Sequence, residues 1–192
     1  MSLTIKRKED KRTVHACTHN LADVPNGVTV CVAELVAGVI LQEGTPIAKG
    51  KDGLYHVTKT ASVKEAVASA ETSVKVAKGS HFKSGDAVML AVGGKAVLIS
   101  AIDRDSNTTY DTLTLAEAIG AITAGATLQL ASAAATKGAF KYKPTAMTGD
   151  SYDVESLNNR LASAVTIGQF KESVTAPMSD DIKAALTGIH FI

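Results

Sequence analysis

Tryptophan is absent from this chain, and phenylalanine and tyrosine contribute only four residues each in 192. A carbohydrate platform or a base-stacking surface would have little aromatic area to work with. Cysteine is almost as scarce. Cys17 and Cys31 are too few for a disulfide framework, so the expectation is free thiols and synthesis in a bacterial cytoplasm. No charge sign dominates: the formal net charge is +1, which argues against a dedicated nucleic-acid binder. Long apolar runs are missing too. The longest, "VCVAELVAGVIL", is interrupted by Glu34 and is too short to span a bilayer. "MSLTIKRKEDKRT" has no apolar run behind its basic residues and does not read as a secretory signal. Neither a membrane nor a nucleic acid is expected as a partner.

What is present is small and apolar. Hydrophobic residues make up 45% of the chain, mostly Ala and Val, which suffices for the core of one domain. Residues 1–22 are polar and dense in charge, with Lys6, Arg7 and Lys8 at their centre. They read as an extended N-terminal arm, either a solvated tail or a segment that orders on a larger partner. Residues 23–133 carry strand signals punctuated by Gly and Pro and read as a β-barrel-like body. "KDG" at 51–53 and Gly93-Gly94 are turn chemistry between alternating runs. "KEAVASAE" (64–71) has the composition for two helical turns. Residues 134–192 form a C-terminal β/α segment that packs on the body or on a neighbouring subunit. "AFKYK" reads as a short strand ended by Pro144, and "AVTIGQFKES" as a longer one. Ser179 or Asp180 would cap a short helix that ends at Gly188. The chain closes on "IHFI", whose Ile189, Phe191 and Ile192 call for an apolar groove on this chain or a neighbour. The fold class is mainly β: a compact barrel-like body with short helices, an extended arm and a short C-terminal helix.

An internal repeat organises the body. "VKVAKGSHFKSGDAVMLA" (74–91) aligns with "LTLAEAIGAITAGATLQLA" (113–131), with one inserted residue between the halves. Val74, Val76 and Ala77 match Leu113, Leu115 and Ala116. Val88, Leu90 and Ala91 match Leu128, Leu130 and Ala131. Between the strands, Phe82 and Gly85 match Ile122 and Gly125. Each unit is a strand, an apolar plug at a corner, a glycine and a returning strand, which suits a small closed barrel. The repeat keeps Phe82, Gly85, Ile122 and Gly125 as structural corner anchors. It does not keep His81, Lys83 or Asp86, so "KGSHFKSGD" reads as architecture in preference to a reactive trio.

No constellation carries a reaction, and no catalytic residue, metal ligand or cofactor is assigned. His15, Cys17 and His19 alternate on one strand face, and Cys31 could complete a zinc set, but the spacing lacks the usual tight pairs. Asp103, Asp105, Asn107 and Asp111 suggest a calcium loop, yet Thr108 replaces the needed Gly and Thr114 the closing Glu. Asp150, Asp153 and Glu155 could act as paired acids, and in a loop poor in aromatics they read as solvated. His56 and His190 stand in apolar alternation and read as structural. There is no phosphate loop and no G-x-S-x-G elbow.

Four passages nevertheless belong together: "HACTHNLADVPNGVTV", "LQEGTPIAKGKDGLYHVTKTA", the repeat from "KVAKGSHF" to "TLQLA", and "AVTIGQFKESVTAPMSDDIKAALTGIHFI". In order and spacing they resemble the head fibre and head-decoration proteins of tailed bacteriophages. The resemblance covers most of the chain, including an "EGTP" element before a strand. It implies a structural virion protein on the capsid surface, commonly a homotrimer bound to the major capsid protein. Such a protein has no catalytic residues to carry over. The arm, with Lys6, Arg7 and Lys8, and the tail, with Ile189, Phe191 and Ile192, would then be the candidate capsid or subunit contacts. A host-surface ligand is a further possible partner. Two other readings compete: a cell-surface adhesin or glycan-binding module, and a small β-barrel hydrolase built on one His with a nucleophile and an acid.

Overall fold

The computed structural model describes residues 14–154 and 158–192, and it is mainly β. Five strands come first: β1 (Cys17–Asp23), β2 (Val28–Val30), β3 (Ile40–Leu41), β4 (Pro46–Lys49) and β5 (Tyr55–Val57). Six more follow: β6 (Thr60–Ser62), β7 (Ser73–Ala77), β8 (Ala87–Met89), β9 (Ala96–Asp103), β10 (Tyr110–Leu115) and β11 (Thr127–Ala131). The chain ends with β12 (Ala146–Thr148), β13 (Tyr152–Asp153), β14 (Arg160–Ala162), β15 (Ala164–Phe170), a 3-10 turn at Glu172–Val174, helix α1 (Asp180–Ala185) and β16 (Ile189–Phe191).

The middle strands form one six-stranded sheet in the order β6-β11-β8-β9-β10-β7. Its two outer strands meet through a Val63–Val76 bridge and a Lys64 N–H bond to the Lys75 carbonyl (2.8 Å), so the sheet curls into a barrel-like body. Alternation explains the burial: in β7, Val74 and Val76 are buried while Ser73 faces water. The core joins these valines to Val88, Val97, Ile99, Leu113, Leu115, Leu128 and Leu130. A fully buried aliphatic side chain of this kind contributes about 1.5–3 kcal/mol.

The repeat is realised as a local two-fold. Val74 pairs directly opposite Leu113, its sequence equivalent, and Met89 pairs opposite Gln129, its equivalent in the second copy. Equivalent residues can face one another in this way only when a two-fold axis relates the copies. The symmetry extends one strand further back than the sequence match. The Gly85 N–H donates to the Ile99 carbonyl (2.8 Å), and the Gly125 N–H to the Val63 carbonyl (2.8 Å). Likewise Ile99 opposes Leu115 as Val63 opposes Val76. Strands β6 and β9 are therefore the unrecognised first strands of the two units. Phe82 and Ile122 plug the corners with 0% and 3% exposure, and Gly85 and Gly125 both turn with positive φ, +90° and +84°.

The flanking segments build a second, eight-stranded sheet in the order β1-β15-β12-β4-β5-β2-β14, with β16 parallel to β15. Strands from residues 17–57 and 146–191 thus share one sheet, except β3 and β13, which pair with each other in a separate two-stranded sheet, and the barrel strands lie between the two segments in the chain. The sequence divisions after residues 22 and 133 do not coincide with the sheets: residues 23–57 belong with the C-terminal strands, and the barrel starts at β6. Part of the expected arm is itself a strand, because Cys17–Asp23 pairs antiparallel with β15. Lys6, Arg7 and Lys8 lie outside the described residues.

Other local expectations change too. Residues 64–71 form no helix. Val67 is buried and exchanges two backbone bonds with Ile122 (2.9 Å each), an alternative that eight residues of marginal helix do not outcompete. "AFKYK" contributes a single bridge, Phe140 to Ala131, and no strand. The Gly93 turn and the Asp52-Gly53 turn close hairpins as the pattern suggests. Helix α1 is capped by Ser179, whose hydroxyl accepts from the Ile182 N–H (3.2 Å). Gly188 does not end this helix, which Leu186 caps. A side chain at 188 would collide with the Thr166 carbonyl, so glycine there permits β16 to approach β15.

Candidate functional site

"KGSHFKSGD" lies at the first barrel corner, and His81 and Lys83 reach from it to the 33–40 segment. The Val36 N–H donates to His81 Nδ1 (3.3 Å), and His81 Nε2 donates to the Ile40 carbonyl (3.3 Å). Lys83 Nζ donates to the Ala33 carbonyl (2.8 Å). Both side chains therefore hold the 33–40 segment against the corner. Asp86 accepts from the Lys83 backbone N–H (2.8 Å) and from Lys59 Nζ (2.7 Å). Burial pushes the His81 pKa down to about 4, against the Ile40 bond and with help from the nearby Lys59, Arg104 and Lys83 cations. Neutral imidazole with both nitrogens bonded to backbone has no lone pair left to take a proton from a substrate. The same carboxylate–lysine pairing keeps Lys59, only 2% exposed, from being an isolated buried charge.

A second cluster, not found in the sequence, gathers around His56. Glu34 Oε2 lies 2.9 Å from His56 Nδ1, and Asp52 Oδ1 lies 3.1 Å from Nε2. Tyr142 stacks on the imidazole, with centroids 4.2 Å apart, and its hydroxyl donates to Glu34 Oε1 (2.7 Å). Lys141 Nζ reaches the same oxygen (2.9 Å). Burial raises the Glu34 pKa, but the bonds from Lys141, Tyr142 and His56 outweigh it and bring the value down to about 2. Burial and the Glu34 bond push the Tyr142 hydroxyl upward. Asp52 and His56 stand at the two ends of the β4–β5 turn, a spacing visible in "KDGLYH". Glu34 and Tyr142 come from remote segments, and nothing local marks them. The cluster ties the 31–36 loop, the β4–β5 hairpin and the 141–142 segment together. His56 has carboxylates at both nitrogens and no nucleophile between them.

The remaining candidates separate from one another. His15 Nδ1 lies 3.2 Å from Glu43, while His19 Nδ1 lies 3.1 Å from Gln169. Cys17 and Cys31 are unpaired, and burial with the Glu43 and Asp150 charges raises the Cys17 thiol pKa. Among the described residues, no three His, Cys, Asp or Glu side chains could share a metal ion. In "DRDSNTTYD", Asp103 caps the Asp105 and Ser106 N–H groups (3.1 Å each), and Asn107 caps Thr109 (2.8 Å). Asp111 turns inward, 1% exposed, between Arg104 (2.9 Å) and Lys78 (2.8 Å). Arg104 also donates to the Phe82 carbonyl (2.6 Å) and so secures the corner from outside. Asp150 and Asp153 are exposed, His190 is exposed on β16, and Glu155 lies outside the described residues.

The "EGTP" element is a junction. Buried Glu43 accepts from the Cys17 N–H (2.8 Å) at the start of β1. Thr45 N–H donates to Thr148 Oγ1 (2.9 Å), and Pro46 opens β4. The C-terminal residues dock on this chain: Ile189 and Phe191 pack with Phe170, Ile182 and Leu186. Ile192 bonds through its backbone to Phe170 (2.9 Å) and leaves its side chain 55% exposed.

The most exposed apolar residues lie elsewhere. Strands β1 and β2 run antiparallel to β15 and β14 in turn, joined by the Val24 N–H bond to Ala164 (2.9 Å), so the four make one long ribbon. Leu21 on β1 is 76% exposed and Leu161 on β14 is 64% exposed, and these are the terminal strands of the sheet path. Ile167 on β15 adds to the same ribbon at 48%. Among the described residues no helix is long and apolar enough to cross a membrane. No protein-family model, no curated protein and no solved structure matches the chain.

Proposed function

We propose that this chain is a structural virion protein, a head fibre base or decoration protein that binds the outside of an assembled phage capsid as a homotrimer. One observation carries the reading: the reactive side chains are engaged in holding two sheets together, while exposed leucines sit on the sheet's terminal strands. His81, Lys83 and Asp86 join the barrel corner to the 33–40 segment and to Lys59. Leu21 and Leu161 offer apolar area on strands that, among the described residues, pair along one edge only. A cross-braced body with apolar strand edges suits a protein whose work is adhesion to a lattice. Three such surfaces in a closed trimer would act together, so that individually weak contacts give firm attachment. The order and spacing of the four quoted passages support the same reading.

The test is deletion of the gene from the phage that encodes the protein, followed by electron microscopy of purified particles. The expected result is intact heads that have lost surface knobs, regained when recombinant protein is added. Light scattering of the recombinant protein should give three times the monomer mass. Particles unchanged by the deletion, with the protein missing from wild-type virions, would overturn the assignment.

A further inference from the structure

The seam between the two sheets holds a cavity of about 80 Å³ whose lining includes Gln42, Lys59, Thr60, Lys78 and Ser80. Two features of this lining are chemically incomplete. Ser80 is 5% exposed, and its Oγ is buried with no hydrogen-bond partner among the described residues. Lys59 is 2% exposed, and its ammonium has three donors, of which Asp86 takes one among the described residues. A buried hydroxyl and a buried ammonium with unfilled bonding capacity are costly unless something polar meets them. Polar groups, Lys59, Thr60 and Ser80 among them, interrupt its largely apolar lining, and it has room for about two or three water molecules.

We propose that this cavity is a binding site for ordered water that bridges Ser80 Oγ and the Lys59 ammonium and so completes the polar seam between the barrel and the second sheet. Water suits the site better than an anion, because Asp86 already neutralises Lys59 and Asp111 lies 2.8 Å from Lys78. It suits the site better than an apolar guest, because an apolar molecule would leave both groups unpaired.

The first test is Ser80→Ala in the full chain. A hydroxyl bonded to ordered water stabilises the fold, and its removal is expected to lower Tm by about 2–4 °C. A hydroxyl left unpaired in a dry cavity destabilises the fold, so an unchanged or raised Tm would overturn the proposal. The second test is oxygen-17 relaxation dispersion of water on the wild type and on Ser80→Val, which fills the space. Loss of the slow-exchanging water signal in the variant is expected, and equal signals from both proteins would refute the site. Crystals grown in bromide supply a third readout. Anomalous density in the cavity would assign it to an anion in place of water.

Discussion

His81 makes stability depend on pH in a window where few other groups titrate. An unperturbed histidine has a pKa near 6.5, and in the fold His81 is held at about 4. Between those values the unfolded chain binds a proton that the folded chain refuses. Stability is therefore complete above pH 6.5 and is lost as pH falls toward 4, the opposite of a histidine that gains an anionic partner. At pH 5 the unfolded state has gained about 1.5 units of proton affinity that the native state has not used, which costs about 2 kcal/mol. The main cause is burial of the ring, aided by the cations of Lys59, Arg104 and Lys83. The geometry agrees: Nδ1 accepts from Val36 N–H, and a second proton would turn that acceptor into a donor facing a donor. The perturbation is His81→Gln, which retains a donor and an acceptor but does not titrate. Urea unfolding followed by far-ultraviolet circular dichroism at pH 7.5 and pH 5 gives the comparison. The wild type should lose about 2 kcal/mol more than the variant between these two pH values. Equal losses in the two proteins would refute the assignment of a buried, neutral His81 as a clamp between the sheets.

The two-fold in the barrel predicts matched costs. Gly85→Ala and Gly125→Ala meet open space at Cβ, so each should cost only the backbone penalty, about 1–2 kcal/mol, and the two should agree when measured by urea unfolding. Truncation of the corner plugs is more severe: Phe82→Ala should cost about 3–5 kcal/mol and Ile122→Ala about 2–5 kcal/mol, read from the same curves. Glu34→Gln should destabilise at pH 7 by about 1–2 kcal/mol after allowance for solvent screening. Because the folded pKa of Glu34 is about 2 against 4.5 for the free group, its contribution is present above pH 4.5 and fades as pH falls toward 2, so the gap between wild type and variant should shrink by about half by pH 3 and close only below pH 2. Gly188→Ala should detach β16 from β15, seen as faster amide exchange at Ile192 while exchange at Val74 stays slow.

The barrel was legible because its information is periodic. Alternation in "SVKVA" and "TLQLA" sets which face is buried, and a glycine three residues after an apolar plug marks each corner. The repeat showed in sequence where both copies must bury the same positions, as at Val74 and Leu113. It disappeared at β6 and β9, since "TAS" and "AVLISAID" share no pattern, although their backbones occupy equivalent places. Pairing position constrains hydrogen bonds, which any residue but proline supplies, and so leaves little mark on side chains. The "KEAVASAE" segment failed for a related reason. Its helical composition is a local preference worth tenths of a kcal/mol per residue, whereas Val67 gains burial and two bonds from Ile122 across the barrel.

Polar clusters were less legible because each joins residues that are far apart in the chain, and each serves the same seam. His81 holds residues 36 and 40, Lys83 holds Ala33, and Thr58 donates to the Tyr142 carbonyl (2.7 Å). At the other end of the barrel, Ser179 donates to Gln129 Oε1 (2.6 Å), and Gln129 donates in turn to Asp181 (3.1 Å). Gln129 is fully buried on β11, so these bonds fix helix α1 to the barrel where an apolar contact would leave it free to slide. The barrel and the second sheet each have their own apolar core, and apolar packing alone does not specify how two finished cores sit against each other. Directional bonds do. That explains why histidine, lysine and acid side chains occur at positions where the repeat does not preserve them: the two copies are alike in what they bury and differ in what they must grip. The first corner faces the 33–40 segment and has His81 and Lys83. The second corner meets Val67 through two backbone bonds, shares its apolar core, and needs only alanine and threonine around Ile122.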